Sequence, residues 1–215
     1  MTGSTPTAGW SDPDQVQWYT ERIGRLEARQ AGERMLVEVL PPAPERVLDL
    51  GCGDGRLAAL VLEHRGSVRS VVCGDISPPM LELARERFAG DDRVEVREHD
   101  LRDPLAPLGA FDVVVSGFAI HHLEDPGKRT LYEGVAAQLA PGGVFANLEV
   151  VASATPALHA TFLEAIGRTA DDPEDRLAPV EDQLTWMRDA GLTEVDCVWR
   201  WRGFALLVGA RPAAG

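Results

Sequence analysis

Val47-Leu48-Asp49-Leu50-Gly51-Cys52-Gly53-Asp54-Gly55-Arg56 sets an acid and three alternating glycines between an apolar run and a helix-forming one. Glycine serves two chemical ends there. It permits positive φ, and without a Cβ it lets a ligand reach backbone N–H groups. The spacing also discriminates between ligands. A dinucleotide fingerprint, G-x-G-x-x-G, needs its third glycine at a position that is Arg56 here, and the run is G-x-G-x-G instead. Two more acids close apolar runs. Asp75 ends Val71-Val72-Cys73-Gly74 and precedes Ile76, and a carboxylate so placed can accept from both hydroxyls of a ribose. Asp100 follows Val94-Glu95-Val96 and precedes Leu101, a polar edge beside an apolar face, as an adenine ring requires. The adjacent imidazoles of His121 and His122 are candidate general bases, since an unperturbed histidine titrates near neutrality.

These residues need a scaffold that brings strand ends together. Apolar runs and amphipathic segments alternate from Arg46 onward. Strands are expected at Val47–Leu50, Val71–Asp75, Val94–Val96, Phe111–Ser116 and Val144–Val151. Helices are expected at Leu57–Arg65, from Pro78 through Phe88, and at Tyr132–Leu139. That rhythm implies a parallel sheet with its ligand beyond the carboxyl ends of the strands. The rhythm then breaks. A helix from Pro156 to Thr169, the acidic loop Asp171–Asp175 and a helix from Val180 to Ala190, stopped by Gly191, precede two last runs. Those runs, Glu194–Trp201 and Phe204–Ala210, flank Arg202-Gly203, a hairpin signal. Upstream, Asp12-Pro13-Asp14 starts a helix through Trp18 and Tyr19, and a second is expected over Ala31–Leu40.

In combination, the glycine loop, Asp75-Ile76 and Asp100-Leu101 resemble the class I S-adenosylmethionine-dependent methyltransferases. The resemblance implies an α/β fold: a mostly parallel seven-stranded sheet with a C-terminal antiparallel hairpin and helices on both faces. It implies a helical lid segment over residues 1–45, then a methyltransferase domain over 46–215 with a helical cap insertion at about 152–180. The implied cofactor is S-adenosyl-L-methionine. Asp49, Gly51, Cys52, Gly53 and Gly55 would surround its methionine portion, Asp75 its ribose, and Ile76 the adenine face. Asp100 and the Leu101 N–H would meet the adenine edge, and the Ser116 carbonyl the ammonium. Phe118–Leu123 resembles the "LHHL" run of many small-molecule methyltransferases, which makes His121 and His122 the candidate catalytic residues. Tyr19, His159, Trp201 and Arg202 are candidate substrate contacts, and Trp10 and Trp18 belong to the lid. The implied reaction moves a methyl group to an O, N, C or S atom of a small molecule. Trp186–Leu192 and Phe204–Gly209 also resemble carboxy-S-adenosylmethionine synthases of tRNA wobble-uridine modification, in which an arginine such as Arg202 would hold the added carboxylate. A non-catalytic S-adenosylmethionine-binding protein is the third reading.

Bulk properties narrow the field. A chain of 215 residues suits one domain with an ample core. A net charge of −13 argues against nucleic-acid partners, whose phosphates are neutralised by Lys and Arg. No apolar stretch approaches the roughly 20 residues of a membrane helix, and residues 1–11 lack the basic and apolar regions of a signal peptide. Cys52, Cys73 and Cys197 are odd in number and form no C-x-x-C pair, so neither a disulfide framework nor a metal is expected. The expectation is a cytoplasmic enzyme with a small-molecule acceptor, its oligomeric state open and a homodimer allowed.

Overall fold

The computed structural model describes residues 26–105 and 108–213. Its first described helix, α1 (Glu27–Val39), begins four residues before the expected Ala31 and buries Arg29, Gly32, Glu33, Leu36 and Val37 on one face. Gly32 lets this helix lie directly on the sheet, since a Cβ there would stand 2.6 Å from Leu148 Cδ1 and 2.9 Å from the Trp199 ring. Leu40 ends it in an extended conformation (ψ 146°), as a residue before proline prefers.

Seven strands follow: β1 (Arg46–Leu50), β2 (Ser70–Asp75), β3 (Val94–Glu98), β4 (Phe111–Gly117), β5 (Leu139–Val150), β6 (Thr193–Trp201) and β7 (Phe204–Ala210). They form one sheet in the order β3-β2-β1-β4-β5-β7-β6. The first five strands are parallel, and β7 pairs antiparallel with both β5 and β6. The helices are α2 (Arg56–His64), α3 (Pro78–Arg87), α4 (Asp125–Gln138), α5 (Pro156–Ala165) and α6 (Val180–Asp189), with a 3-10 turn at Ile120–His122.

Strand alternation sorts the core into two layers. Val47, Val71, Val113, Ala146 and Leu206 face one side with α1 and α2, through Leu36, Leu57 and Val61. Leu48, Val72, Val114, Phe145 and Leu207 face the other with α4 and α6, through Leu131, Val135, Leu184 and Met187. A mostly parallel sheet needs this double cover.

Three further boundaries differ from the sequence reading by more than two residues. Helix α4 starts at Asp125, seven residues before the expected Tyr132, with Pro126 in its first turn. Strand β5 starts at Leu139 and not Val144, because Leu139 pairs with Phe111 before Pro141-Gly142-Gly143 bulges out and pairing resumes at Val113–Val144. Helix α5 stops at Ala165, short of Thr169, and Gly167 just beyond it adopts φ +72°. The hairpin turn at Arg202-Gly203 lies at the carboxyl end of the parallel strands, since Phe204 pairs with Val150. Helix α5 docks on that turn. A Cβ on Gly203 would stand 2.7 Å from the Phe162 ring.

Candidate active site

The carboxyl ends of β1, β2, β3 and β4 open into one cleft of about 950 Å³, its open mouth included. Gly51, Cys52, Gly53, Arg29 and Phe118 line it together with Asp75, Ile76, Met80, His99, Asp100 and Leu101, and Ala119, His122, Leu123 and Glu174 also line it.

The glycine loop is shaped by three left-handed residues, Gly51 (φ +64°), Gly53 (+54°) and Gly55 (+78°), for two different reasons. A Cβ on Gly51 would stand 2.2 Å from the Ala119 Cβ, and one on Gly55 2.4 Å from the Phe88 ring, so both sites are filled by protein. A Cβ on Gly53 would meet only the Met80 sulfur at 3.7 Å and would otherwise fill the cleft. Beneath the loop, Asp49 is fully buried and its Oδ2 accepts from the Ala58 N–H at 3.0 Å. That satisfies one of the donors a helix leaves unpaired at its start. Its Oδ1 has no hydrogen-bond partner among the described residues. Burial, aided by the neighbouring charges of Asp75 and Asp54, raises this carboxyl to about 7 against the pull of the Ala58 N–H.

Asp75 closes the loop from β2. One oxygen accepts from the Gly53 N–H and the other from the Ser77 N–H, each at 2.8 Å. Burial raises its pKa, and those N–H groups oppose the rise. The Ile76 N–H adds a third donor, and a carboxylate offers about four lone-pair sites, so accepting capacity is left for a ligand. Asp100 is tied to the next turn of chain: Arg102 gives it a backbone N–H at 2.9 Å and a bidentate guanidinium. Arg102 outweighs the effect of burial and holds the Asp100 carboxyl below its usual range.

Arg29 reaches the cleft from α1 while almost wholly buried. It donates to Glu33 at 2.9 Å and lies 4.9 Å over the Phe118 ring. Glu33 also takes a bidentate pair from Arg56, at 2.6 and 2.7 Å, which ties α1 to α2. Phe118 adopts φ +57°, a conformation that costs a non-glycine residue about 1–3 kcal/mol. It is held there by Arg29 on its face and Phe204 edge-on at 5.0 Å.

The two histidines have opposite environments. His121 is buried with Nδ1 2.5 Å from Glu149 Oε1, its own N–H donating to Glu149 Oε2 at 3.0 Å, and Nε2 3.4 Å from Asp175 Oδ1. Burial disfavours its charge, but Glu149 and Asp175 outweigh burial and raise it to about 9. Burial and then the His121 charge push His122 down to about 4. His121 is therefore an imidazolium at neutral pH, and His122 a neutral ring on the cleft wall.

The segment behind them is stitched by Lys128, which is fully buried. Its ammonium donates to Leu123 O at 2.5 Å, Arg176 O at 2.6 Å and the Asp125 carboxylate at 3.2 Å. Lys128→Met strands two carbonyls away from water. The expected cost is about 2–4 kcal/mol, read as a shifted urea midpoint at unchanged slope.

Comparison with known proteins agrees with this geometry. A family described as methyltransferase domain matches residues 47–143. A demethylmenaquinone methyltransferase of Clavibacter sepedonicus is 31% identical over 193 residues, covering 81% of this chain and 77% of that one. The chain belongs to the class I S-adenosylmethionine-dependent methyltransferases. An uncharacterized methyltransferase of Mycobacterium tuberculosis is 36% identical over 127 residues, and the match spans 59% of this chain and only 60% of that relative's length. Human N-acetylserotonin methyltransferase, solved in complex with SAM, shares the fold with a TM-score of 0.73 at 16% identity, over 99% of this chain and 60% of that one.

Within this methyltransferase fold, Gly51, Cys52, Gly53, Asp75, Ile76, Asp100, Leu101 and His122 line the cleft, and Asp49, Gly55, Ser116 and His121 support it from outside its wall. The Ser116 hydroxyl donates to Leu50 O at 2.7 Å. His159, Trp201 and Arg202 lie elsewhere. His159 sits between Asp171 at 2.8 Å and Ser153 at 3.2 Å, Trp201 packs on Phe162 and Phe204, and Arg202 donates to Thr161 O. Trp10, Trp18 and Tyr19 lie outside the described residues. Arg29, His99, Phe118 and Glu174 are wall residues that the sequence reading did not select. An Arg and a Glu four residues apart on the apolar face of a helix was the available signal for Arg29. Among the described residues no helix is long and apolar enough to cross a membrane.

Proposed function

We propose that the chain is an S-adenosylmethionine-dependent methyltransferase acting on a small-molecule acceptor. The observation that carries this reading is Asp75, a buried carboxylate on the cleft wall that spans the Gly53 and Ser77 N–H groups and keeps accepting capacity for a ligand. Three features support the fit of the cofactor. The missing Cβ of Gly53 leaves a cradle, and Asp49 Oδ1 and His99 Nε2 are buried polar atoms with no hydrogen-bond partner among the described residues. The cleft wall also carries both signs of charge, the Arg29 guanidinium and the carboxylates of Asp75 and Asp100.

Asp75 would hold the ribose hydroxyls, Ile76 and Leu101 the adenine, and Arg29 the carboxylate of the methionine portion. When bound, the cofactor supplies an electrophilic sulfonium methyl group. The chain's part is alignment in a water-poor cleft, which lowers the barrier by removing the entropy of encounter. Of the two histidines, His121 already carries its proton between Glu149 and Asp175, so the proton-accepting role narrows to His122. A base near pKa 4 is weak, so His122 serves chiefly to orient an acceptor's O–H or N–H. Arg29 on the cleft wall supports the lid role of residues 1–45, and Glu174 the cap role of 152–180. The relatives named demethylmenaquinone methyltransferase and ubiquinone biosynthesis O-methyltransferase favour a quinone-related acceptor, the second with oxygen as the methylated atom.

The test is methyl transfer from methyl-labelled S-adenosylmethionine to a panel of small phenols, quinols, amines and thiols. Label in at least one acceptor, with stoichiometric S-adenosylhomocysteine, is expected. Tight cofactor binding without transfer to any member would favour a binding protein instead.

A further inference from the structure

The segment after α5 folds back to the cleft through a turn that closes on itself. The Asp172 N–H donates to the Asp175 carboxylate at 3.1 Å, the Asp175 N–H to Asp172 O at 2.9 Å, and the Glu174 N–H to the Asp172 carboxylate at 3.0 Å. This self-contained turn places Glu174 on the cleft wall with His122 and Arg102. Its attachments converge on the 3-10 turn. The Arg176 N–H donates to His121 O at 2.8 Å, and the Arg176 guanidinium to Glu124 at 2.7 Å. Lys128 joins Leu123 O to Arg176 O, and His121 Nε2 faces Asp175 Oδ1.

One of these links depends on a proton. Glu149 accepts from the His121 and Val150 N–H groups, at 3.0 and 2.7 Å, so it is held as an acceptor on the Nδ1 side of the ring. Nδ1 must then carry hydrogen, and a neutral ring would turn the lone pair of Nε2 toward the Asp175 carboxylate. Two acceptors facing each other in a buried site repel. Only a second proton, on Nε2, makes that contact attractive.

We propose that His121 is a positioning residue whose imidazolium form, through Asp175, clamps the Asp172–Arg176 turn and sets Glu174 as one wall of the cleft. The charged and titratable groups around it are Glu149 from β5, Asp175 from the turn, His122 beside it, and Tyr132 and Lys128 from α4. Lys128 is spent on two carbonyls and Asp125, and the Arg176 side chain turns away to Glu124. Neither replaces the imidazolium as partner of Asp175. The inference rests on the cofactor reading only in giving the wall a ligand to enclose. Loss of the proton opens the wall, so ligand affinity falls in mildly alkaline solution. The direction agrees with the elevated pKa of His121 and the lowered one of Asp175, where His121 outweighs burial.

The test has two readouts. Hydrogen–deuterium exchange of the peptide over residues 171–178, corrected for the intrinsic rate at each pH, needs no ligand. Protection in the wild type should fall at least tenfold between pH 6.5 and pH 9.5. Asp175→Asn should show the low value at both, and Asp175→Glu should recover most of the step. S-adenosylhomocysteine affinity should drop in parallel. Equal wild-type protection at both pH values, or protection in Asp175→Asn equal to wild type, overturns the clamp. So does one equivalent of a transition metal whose chelation removes the protection, since His121, His122 and Asp175 lie close enough to share an ion. Failure of the wild type to bind S-adenosylhomocysteine, with the exchange step intact, counts against the cofactor reading and leaves the clamp standing.

Discussion

Between pH 4 and pH 7 the wild type should lose about 3 kcal/mol of stability relative to Asp49→Asn, at about 1.36 kcal/mol per pKa unit. Asp49 ends a central strand at zero exposure, and its carboxyl is raised from 3.8 to about 7. The folded chain thus holds this proton more tightly than the unfolded one. The stabilisation is complete below the unfolded pKa and is lost as pH rises through the folded value. Asparagine keeps an acceptor for the Ala58 N–H but cannot ionise, so it lacks this slope. Urea unfolding of both proteins at half-unit pH intervals reads the difference directly. Parallel curves would mean that Asp49 is solvated or paired in a way the fold does not display.

Glu149→Gln should cost about 3–5 kcal/mol near pH 6, because truncating one member of a buried ion pair leaves the other charge uncompensated. Glu149 is fully buried and meets His121 at both its backbone N–H and its ring. His121 is raised from 6.5 to about 9 against the effect of burial, which amounts to about 3 kcal/mol of linked stability. For a base with a raised pKa, that contribution is fully present below 6.5 and disappears as pH climbs through 9. The penalty of Glu149→Gln should therefore shrink above pH 9. A penalty independent of pH would show that the glutamate acts only as an acceptor for two backbone N–H groups. The windows of Asp49, 3.8 to about 7, and His121, 6.5 to about 9, overlap only around pH 7, so each variant reads its own group on its own side of that overlap.

Much of the scaffold was legible in the chain because it is written locally. The glycine loop, the acids ending β2 and following β3, and Arg202-Gly203 between two apolar runs each carry their meaning within a few residues. The hairpin does not by itself say which strand is inner; the fold sets β7, buried along its length, between β5 and the half-exposed β6. What the chain hides is pairing at a distance. Glu149 reads as one acid in an apolar strand until the fold sets it against His121, 28 residues away. Asp175 reads as part of a solvated acidic loop, yet Lys128, His121 and the Arg176 N–H bind that loop over the cleft. The left-handed backbone of Phe118 has no residue-level signature, since contacts distant in the chain, with Arg29, Phe204 and the Leu148 carbonyl, hold it. His159, Trp201 and Arg202 looked like substrate contacts by their chemistry, but His159 ties α5 to Ser153 and Asp171, and Trp201 and Arg202 fasten α5 to the hairpin.

The most direct measurement is calorimetric titration of S-adenosylhomocysteine into the wild type and Asp75→Ala. Removing Asp75 takes away both the acceptor for ribose hydroxyls and the anchor of the Gly53 and Ser77 N–H groups. Two charge-assisted hydrogen bonds at about 1.5–3 kcal/mol each correspond to a loss of at least about 100-fold. Saturable one-to-one binding that Asp75→Ala weakens to that extent is the expected result. No binding by the folded wild type, or equal affinity in the two proteins, would contradict the assignment of this cleft to S-adenosylmethionine.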